Sequence, residues 1–415
     1  MEARCWRVVV AVALLGASFL AACSSSAQGP LGNRGRATTG AALDLGVKDL
    51  AAGAPYKVGF VTPGTNPLGD GRNEIDMAQA TAKYVNDYLG GIAGHPLELD
   101  ICQDHTTGAG AAACANQMLA DKVPAVLMYT IAQPGPFLNL LTSAKVPVFA
   151  VAGGDQTMLT SPITSVLSNP IAFLAAPLRL ARERGLKKIA MVYVDVGAAA
   201  SLPSVAKSLY GKNGVDLTMS KVPVSAADVT PQIQAAISWG ADALLVLGSN
   251  GLCVSALKAV KALAFTGPVI ANNNCLKTDA GKTVGGFDGL VVGGENSTSD
   301  RDAQVRLFHQ VAKTYAPSIK DPDGGAVPGQ YSAVLGFARA MKALRPNQFT
   351  ALGVSKALLT MAPAILPLFA GQTFQCDRKK SALLGAACTN VGVLETTNAY
   401  GNVIKEETFD APPSL

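Results

Sequence analysis

From Tyr56 onward, short apolar runs alternate with amphipathic runs of helical spacing, and this alternation restricts the chain more than any other feature. The run 57–61 is β-rich, and Ile75, Ala78, Ala82, Val85 and Leu89 then recur at helical spacing through 70–89. A strand at 97–102 and a helix at 108–122 follow, then a strand at 125–129, a helix at 136–144 and a strand at 146–151. A second set begins after Asn169-Pro170, with strands near 188–194, 216–222, 243–247, 269–272 and 290–292. Helices near 172–184, 203–212, 231–239 and 254–263 lie between them. Alternating elements of this kind form parallel sheets covered on both faces. Two sets predict an α/β protein of two doubly wound parallel-sheet lobes.

The ~360 residues beyond the N-terminal region are too many for one simple core and suit two lobes. Helices expected at 302–315 and 330–344 return to the first lobe, and strands near 391–395 and 403–409 close on the second. The chain therefore crosses between lobes more than once, making a multi-strand hinge. The expected division is 55–168 plus 294–390 for lobe 1, and 169–293 plus 391–415 for lobe 2. Ligands of such sheets sit at the carboxyl ends of the strands, so the expected site is a cleft between the lobes.

The first residues carry export chemistry. Arg4 and Arg7 precede an uncharged run over 8–22, of secretory length and short for a bilayer span. It ends in Leu20-Ala21-Ala22-Cys23 followed by three serines, which resembles the bacterial lipoprotein signal. That resemblance implies a signal peptide at 1–22 and lipidation of Cys23; an ordinary secretory signal is the alternative. Residues 23–54, rich in Ala, Gly and Ser, read as a flexible tether. No later stretch approaches eighteen uninterrupted apolar residues.

Charged residues make up only 15% of the chain and the net charge is +5, with no basic stripe interleaved with aromatics, so nucleic-acid binding is not expected. The cluster Arg378-Lys379-Lys380 reads as a solvated loop. Beyond Cys5 and Cys23, the cysteines are Cys102, Cys114, Cys253, Cys275, Cys376 and Cys388. An even number in an exported chain points to disulfides, whose pairing sequence alone does not fix. Pairing of sequence neighbours is the expectation: Cys102–Cys114, Cys253–Cys275 and Cys376–Cys388. A metal site is not expected, because no pair has CxxC spacing and the histidines are only His95, His105 and His309.

Several blocks resemble a known family. Val58-Gly59-Phe60-Val61-Thr62-Pro63, the loop Asn66-Pro67-Leu68-Gly69, and Gly90-Gly91-Ile92-Ala93-Gly94-His95-Pro96-Leu97-Glu98-Leu99 stand in that order. Together with Gln103-Asp104, Val146-Pro147-Val148 and Gln330-Tyr331-Ser332-Ala333, they look like type I periplasmic binding proteins of the leucine/isoleucine/valine-binding kind. The resemblance implies a monomeric two-lobe receptor without cofactor. It would deliver a small molecule to an ABC transporter permease from the outer face of the bacterial cytoplasmic membrane.

It also implies a ligand site. Thr130 and Gln133 follow one strand of the first lobe, and Ala152, Gly153, Gly154 and Asp155 follow another. Small residues there let backbone N–H groups approach a ligand carboxylate; a plain turn explains Gly153-Gly154 equally well. In the second lobe the candidates are Asp195, Ser249 and Asn250, and Asn273 and Asn274; Tyr331 comes from the late helix. Amino-acid-binding relatives use a Tyr-Gly and an acid in the second lobe to hold an ammonium, where this chain has Ala198-Ala199-Ala200 and an asparagine run. A buried ammonium needs a carboxylate, which leaves Asp155, Asp195 or Glu295 for that role. Asparagine suits an amide, a polyol or a carboxylate, or else the run is turn chemistry.

Catalysis is not expected: the chain has no G-x-S-x-G, no G-x-G-x-x-G after the first strand and no P-loop. Asp104-His105 has no nucleophile near it in sequence. The functional expectation is solute capture for import, of an amino acid or a similar amide or carboxylate. The alternatives are a ligand-sensing lipoprotein that signals without transport, and a structural envelope protein.

Overall fold

Strand β1 (Tyr56–Thr62) shows how the first sheet is assembled. Its alternate side chains separate two cores: Val58 and Phe60 join Met77, Val85, Phe308 and Phe337 on one face, while Val61 joins Cys114, Met118 and Phe137 on the other. In the computed structural model, which describes residues 45–65, 70–153, 155–169, 171–195, 202–223, 225–272, 275, 283–286, 289–294, 296–380, 385–398 and 402–411, this sheet is entirely parallel. Its order is β2-β1-β3-β4-β5, with β2 Leu97–Gln103, β3 Val126–Met128, β4 Val148–Ala150 and β5 Thr164–Val166. Helix α1 (Arg72–Tyr88) buries Met77, Ala78, Thr81, Tyr84 and Val85, the i, i+4, i+7 face that its sequence pattern supplies. Helices α2 (Gly108–Ala120), α3 (Pro134–Ala144) and the short α4 (Gln156–Thr160) follow strands β2, β3 and β4.

The second sheet has the order β14-β13-β10-β9-β8-β6-β7. Strands β6 (Lys188–Val194), β7 (Asp216–Val222), β8 (Ala243–Leu247), β9 (Val269–Ala271) and β10 (Val291–Gly294) are parallel. The pair β13 (Val391–Thr397) and β14 (Val403–Asp410) adds antiparallel strands at one edge. Helices α5 (Ala172–Arg184) and α6 (Leu202–Lys212) cover one face, meeting Ile189, Met191 and Leu245. Helices α7 (Thr230–Trp239) and α8 (Asn250–Ala262) cover the other, meeting Val192, Leu244 and Val246. Both sheets are thus wound on two faces, and the second differs from the expected all-parallel form by its antiparallel edge.

After β10 the chain returns to the first sheet. Helices α9 (Ala303–Tyr315) and α10 (Val327–Ala340) pack Phe308 and Phe337 into its core. Sequence patterning assigns nothing to 345–390. There the chain forms α11 (Ala351–Thr360), capped by the Thr350 hydroxyl accepting from Gly353 N at 3.1 Å, and the small hairpin β11 (Ala364–Ile365) and β12 (Thr373–Phe374). Residues 386–388 run beside β5: Val166 N donates to Ala386 O at 2.7 Å and Cys388 N to Val166 O at 2.8 Å. The chain crosses between sheets at 167–171, at 295–302 and at 389–390. The first and third crossings are tied, since Asn169 Nδ2 donates to Asn390 O at 2.8 Å.

The cysteines form Cys102–Cys114, Cys253–Cys275 and Cys376–Cys388, with Cα atoms 5.5, 5.2 and 4.1 Å apart. Arg378 departs from the expected solvated cluster. It is half-buried and its guanidinium donates to the carbonyls of Ser161 (3.1 Å), Pro162 (2.6 Å) and Thr164 (2.8 Å), holding the turn before β5. Among the described residues, no helix is long and apolar enough to cross a membrane. The expected signal peptide at 1–22, Cys23 and most of the expected tether at 23–54 lie outside the described residues.

Candidate functional site

The carboxyl ends of β3, β4 and β5 come together in space because the three strands are adjacent in the sheet. Past β4, Val151 N donates to Met128 O at 3.1 Å and Ala152 N to Tyr129 O at 2.8 Å, so the two loops are bonded to each other. Past β5, Ser168 N donates to Val151 O at 2.9 Å and the Ser168 hydroxyl donates to the same oxygen at 2.6 Å. Against these loops the first turn of α10 brings Pro328, Gly329 and Ser332. Gly329 is required by the approach: a Cβ there would fall within 2.7 Å of three Tyr129 ring carbons. A small pocket results, lined by Tyr129, Val151, Leu167 and Ser168 on the strand side, with Ser332 and Phe369 among the residues opposite. Asn296, from the second crossing, also lines it. The pocket is therefore at the junction of sheet 1 with the hinge.

The expected site residues divide on this frame. Ala152 and Gly153 are buried in the β4 loop, and Thr130 is half-buried beside Tyr129. Gln133 is exposed at the start of α3. The Asp155 carboxylate accepts from Thr157 N at 2.7 Å and caps α4. Asp195 ends β6 and is paired with Lys221 at 2.9 Å on an exposed surface. Ser249 caps α8, its hydroxyl accepting from Leu252 N at 3.4 Å. Asn250, in the first turn of the same helix, has its side-chain oxygen enclosed without a hydrogen-bond partner. Gly154, Asn273, Asn274 and Glu295 lie outside the described residues.

Tyr331 corrects the expectation. It is fully buried, its ring 5.0 Å from that of Phe308, in the core under sheet 1. The reason is helical phase. Pro328 and Ser332 are four residues apart and share the face on the pocket, whereas Tyr331 faces α9. Burial pushes its phenol far above the ordinary tyrosine range. The residues that sequence reasoning missed are Tyr129, Ser168, Asn296, Ser332 and the prolines and glycine around them. Pro328 was a usable signal, because proline marks the first turn of a helix and places the α10 start before Gln330.

A second polar group stands at the same edge of sheet 1. Glu74, in the first turn of α1, accepts from the Thr62 hydroxyl at 3.1 Å and from Gln330 Nε2 at 2.8 Å. Burial raises its carboxyl above the ordinary range, as it does that of Asp104 at the end of β2. Asp104 is occupied by its own turn, accepting from Thr106 N at 3.0 Å. His105 Nδ1 donates to Thr65 O at 2.9 Å, so Asp104 and His105 hold loops rather than each other. No group of three or more His, Cys, Asp or Glu among the described residues could hold a metal ion.

The protein-family model described as periplasmic binding protein matches residues 55–384. The chain belongs to that family. Solved structures agree on the type I fold. The chain is similar to an ABC transporter substrate-binding protein from Sphaerobacter thermophilus, with TM-score 0.71, 16% identity, and 87% of this chain and 99% of that one covered. It is similar to a fatty acid ABC transporter substrate-binding protein from Thermomonospora curvata, with TM-score 0.69, 17% identity and coverage of 88% and 96%. It is also similar to a branched-chain amino acid transporter substrate-binding protein from Streptococcus pneumoniae in complex with isoleucine, with TM-score 0.66, 17% identity and coverage of 86% and 99%. No curated protein matches the sequence. At such identities the likeness is one of fold, and side chains at the periplasmic-binding-protein cleft are this chain's own.

Proposed function

We propose that this protein is the solute-binding component of an ABC importer, exported and anchored through Cys23. In this reading residues 55–168 plus 294–390 form one lobe and 169–293 plus 391–415 the other, and the two close on a small polar molecule. The observation that carries the reading is the pocket where the strand ends of sheet 1 meet the crossing segments, lined by Tyr129, Ser168, Asn296 and Ser332. Asn296 of the crossing lines this pocket beside the strand-end residues, so contacts a ligand makes at its rim bear on the angle between the lobes. Closure is favoured only by contacts that exist in the closed state.

The ligand class follows from what the cleft offers. The hydroxyls of Thr130 and Ser249 and the backbone N–H of Gly153 suit a carboxylate or an amide. Two of the three acids expected to hold an ammonium are already engaged, Asp155 by its helix cap and Asp195 by Lys221, and Glu295 lies outside the described residues. The relatives' ligands named above, isoleucine and a fatty acid, both carry a carboxylate. We therefore favour a carboxylate or an amide.

The test is a thermal-shift screen of amino acids, amides, aliphatic and aromatic carboxylates, sugars and polyols. A ligand at a thousand times its Kd adds about 4 kcal/mol of stability, or roughly 5 °C for a unit of this size. A shift confined to carboxylates or amides supports the reading. A folded protein that responds to none of these classes refutes it.

A further inference from the structure

The second crossing is gripped from both sides. Ser297 N donates to Leu368 O at 2.7 Å, a residue of the core under sheet 1. The next residue bonds in the other direction: Thr298 N donates to Glu395 Oε1 and the Thr298 hydroxyl to Glu395 Oε2, both at 2.7 Å. The Ser297 hydroxyl donates to Glu406 Oε2 and is 3.4 Å from Glu395 Oε1. Glu395 is on β13 and Glu406 directly opposite it on β14. Two residues of the crossing are thus held between the sheet-1 core and a pair of carboxyls on the sheet-2 edge.

That pair is unusual in its surroundings. Glu395 is fully buried, on the strand face shared with Val391 and Val393. Like charges directly opposite across an antiparallel pair repel, and burial of Glu395 removes the water that would screen its charge, while Glu406 is half-buried. No lysine or arginine is bonded to either carboxyl among the described residues. Lys405 is paired with Glu407 at 2.9 Å. Arg301 donates to Ile404 O at 3.1 Å, and Asp302 caps α9 and accepts from Ala370 N at 2.7 Å. Asp300 is beside His309, which also bonds Asp323. From β10, the residue opposite Glu395 is Val292, and Gln372 bonds Thr408 from the sheet-1 side. Glu295 lies outside the described residues. A proton on Glu395 removes one of the two charges that face each other across the strand pair.

We propose that Glu395 and Glu406 form a proton-operated latch on the hinge: while Glu395 carries a proton the pair stays buried against Ser297 and Thr298, and loss of that proton sets two charges face to face, so that the crossing is freed and the lobes move apart or together more easily. Burial pushes the Glu395 carboxyl up to about 7, so the latch changes state near neutral pH. If freeing the crossing exposes Glu395 to water and an ordinary carboxylate pKa, raising the pH from 6 to 8 favours the freed form about tenfold.

Hydrogen–deuterium exchange of the full chain without ligand tests this, at pH 6 and pH 8, with each amide normalised to its intrinsic rate. The readout is independent of which solute is bound, so its failure leaves the transport reading untouched. Peptides covering 296–302 and 391–410 are expected to exchange about tenfold faster at pH 8 than at pH 6, while those covering β1 do not change. In Glu395→Gln the side chain is uncharged, as the protonated acid is, and the pH response disappears. Glu406→Gln, which removes the opposing charge, serves the same purpose where the first variant does not fold. Normalised exchange that is equal at both pH values, or a response that survives in a folded glutamine variant and so belongs to His309, overturns the latch.

Discussion

Replacing Gly293 with alanine tests how closely the second lobe is packed behind the hinge. Gly293 lies on β10 two residues before the crossing, and a Cβ built on it falls closer to Ala176 Cβ of α5 than the 3.0 Å that real Cβ atoms respect. Ala176 has no rotamer with which to yield, so α5 or β10 must move as a backbone. Overpacking of this kind costs about 1–3 kcal/mol, and the rigidity of both partners argues for the upper half. For roughly 370 residues, at about 2.1 cal/mol/K each, that is ~2–4 °C in Tm. Ala176→Gly alone loses about 1 kcal/mol of helix propensity. Combined with Gly293→Ala it relieves the clash, so the double variant is more stable than additivity predicts by about 1–2 kcal/mol. Thermal and urea unfolding of all four proteins measure this. A Gly293→Ala protein with unchanged Tm, or strictly additive variants, refutes the close approach of α5 to β10.

Three further outcomes are expected. Opening Cys253–Cys275, which closes a 22-residue separation between α8 and the end of β9, lowers stability by about 3 kcal/mol, read by unfolding of Cys253→Ala/Cys275→Ala. Thr107→Ala removes the α2 cap, whose hydroxyl accepts from Gly110 N at 3.0 Å, and lowers stability by about 1 kcal/mol, with Thr107→Ser retaining most of it. His309 is held above its ordinary pKa first by its bond to Asp323 at 2.9 Å. The folded state therefore binds that proton more tightly. The stability it confers is fully present below the unfolded value and is lost as pH rises through the folded one. The Tm gap between the wild type and His309→Gln is accordingly wider at pH 6 than at pH 8.5.

The amphipathic and apolar runs made most of the fold legible in advance. Strands β6, β7 and β8 and helix α5 occupy the spans that patterning predicts, because each is long enough for its period to show and is bounded by turn residues. Strand β5 has three residues, two of them Thr and Ser, and it is held in the sheet by Ala150 on one side and residues 386–388 on the other. No local pattern announces a strand that has one of its two neighbours more than two hundred residues away. The site was legible as a set of loops, since strand ends can be counted, but not as side chains. Tyr331 and Ser332 are neighbours in sequence, but the helix turns about 100° per residue, which sets Tyr331 against Phe308 of α9 and Ser332 on the pocket. Glu395 reads as an ordinary solvent-facing residue near a strand end. Residues 297–298 of the returning chain bond it from a distant part of the sequence.

The most direct test of the two-lobe receptor is small-angle scattering from residues 24–415, with and without a solute identified by thermal shift. Ligand-linked closure predicts a radius of gyration that falls on saturation and recovers when the solute is removed. A solute that binds and stabilises the protein without changing the scattering curve would contradict closure as the means by which this chain reports its ligand.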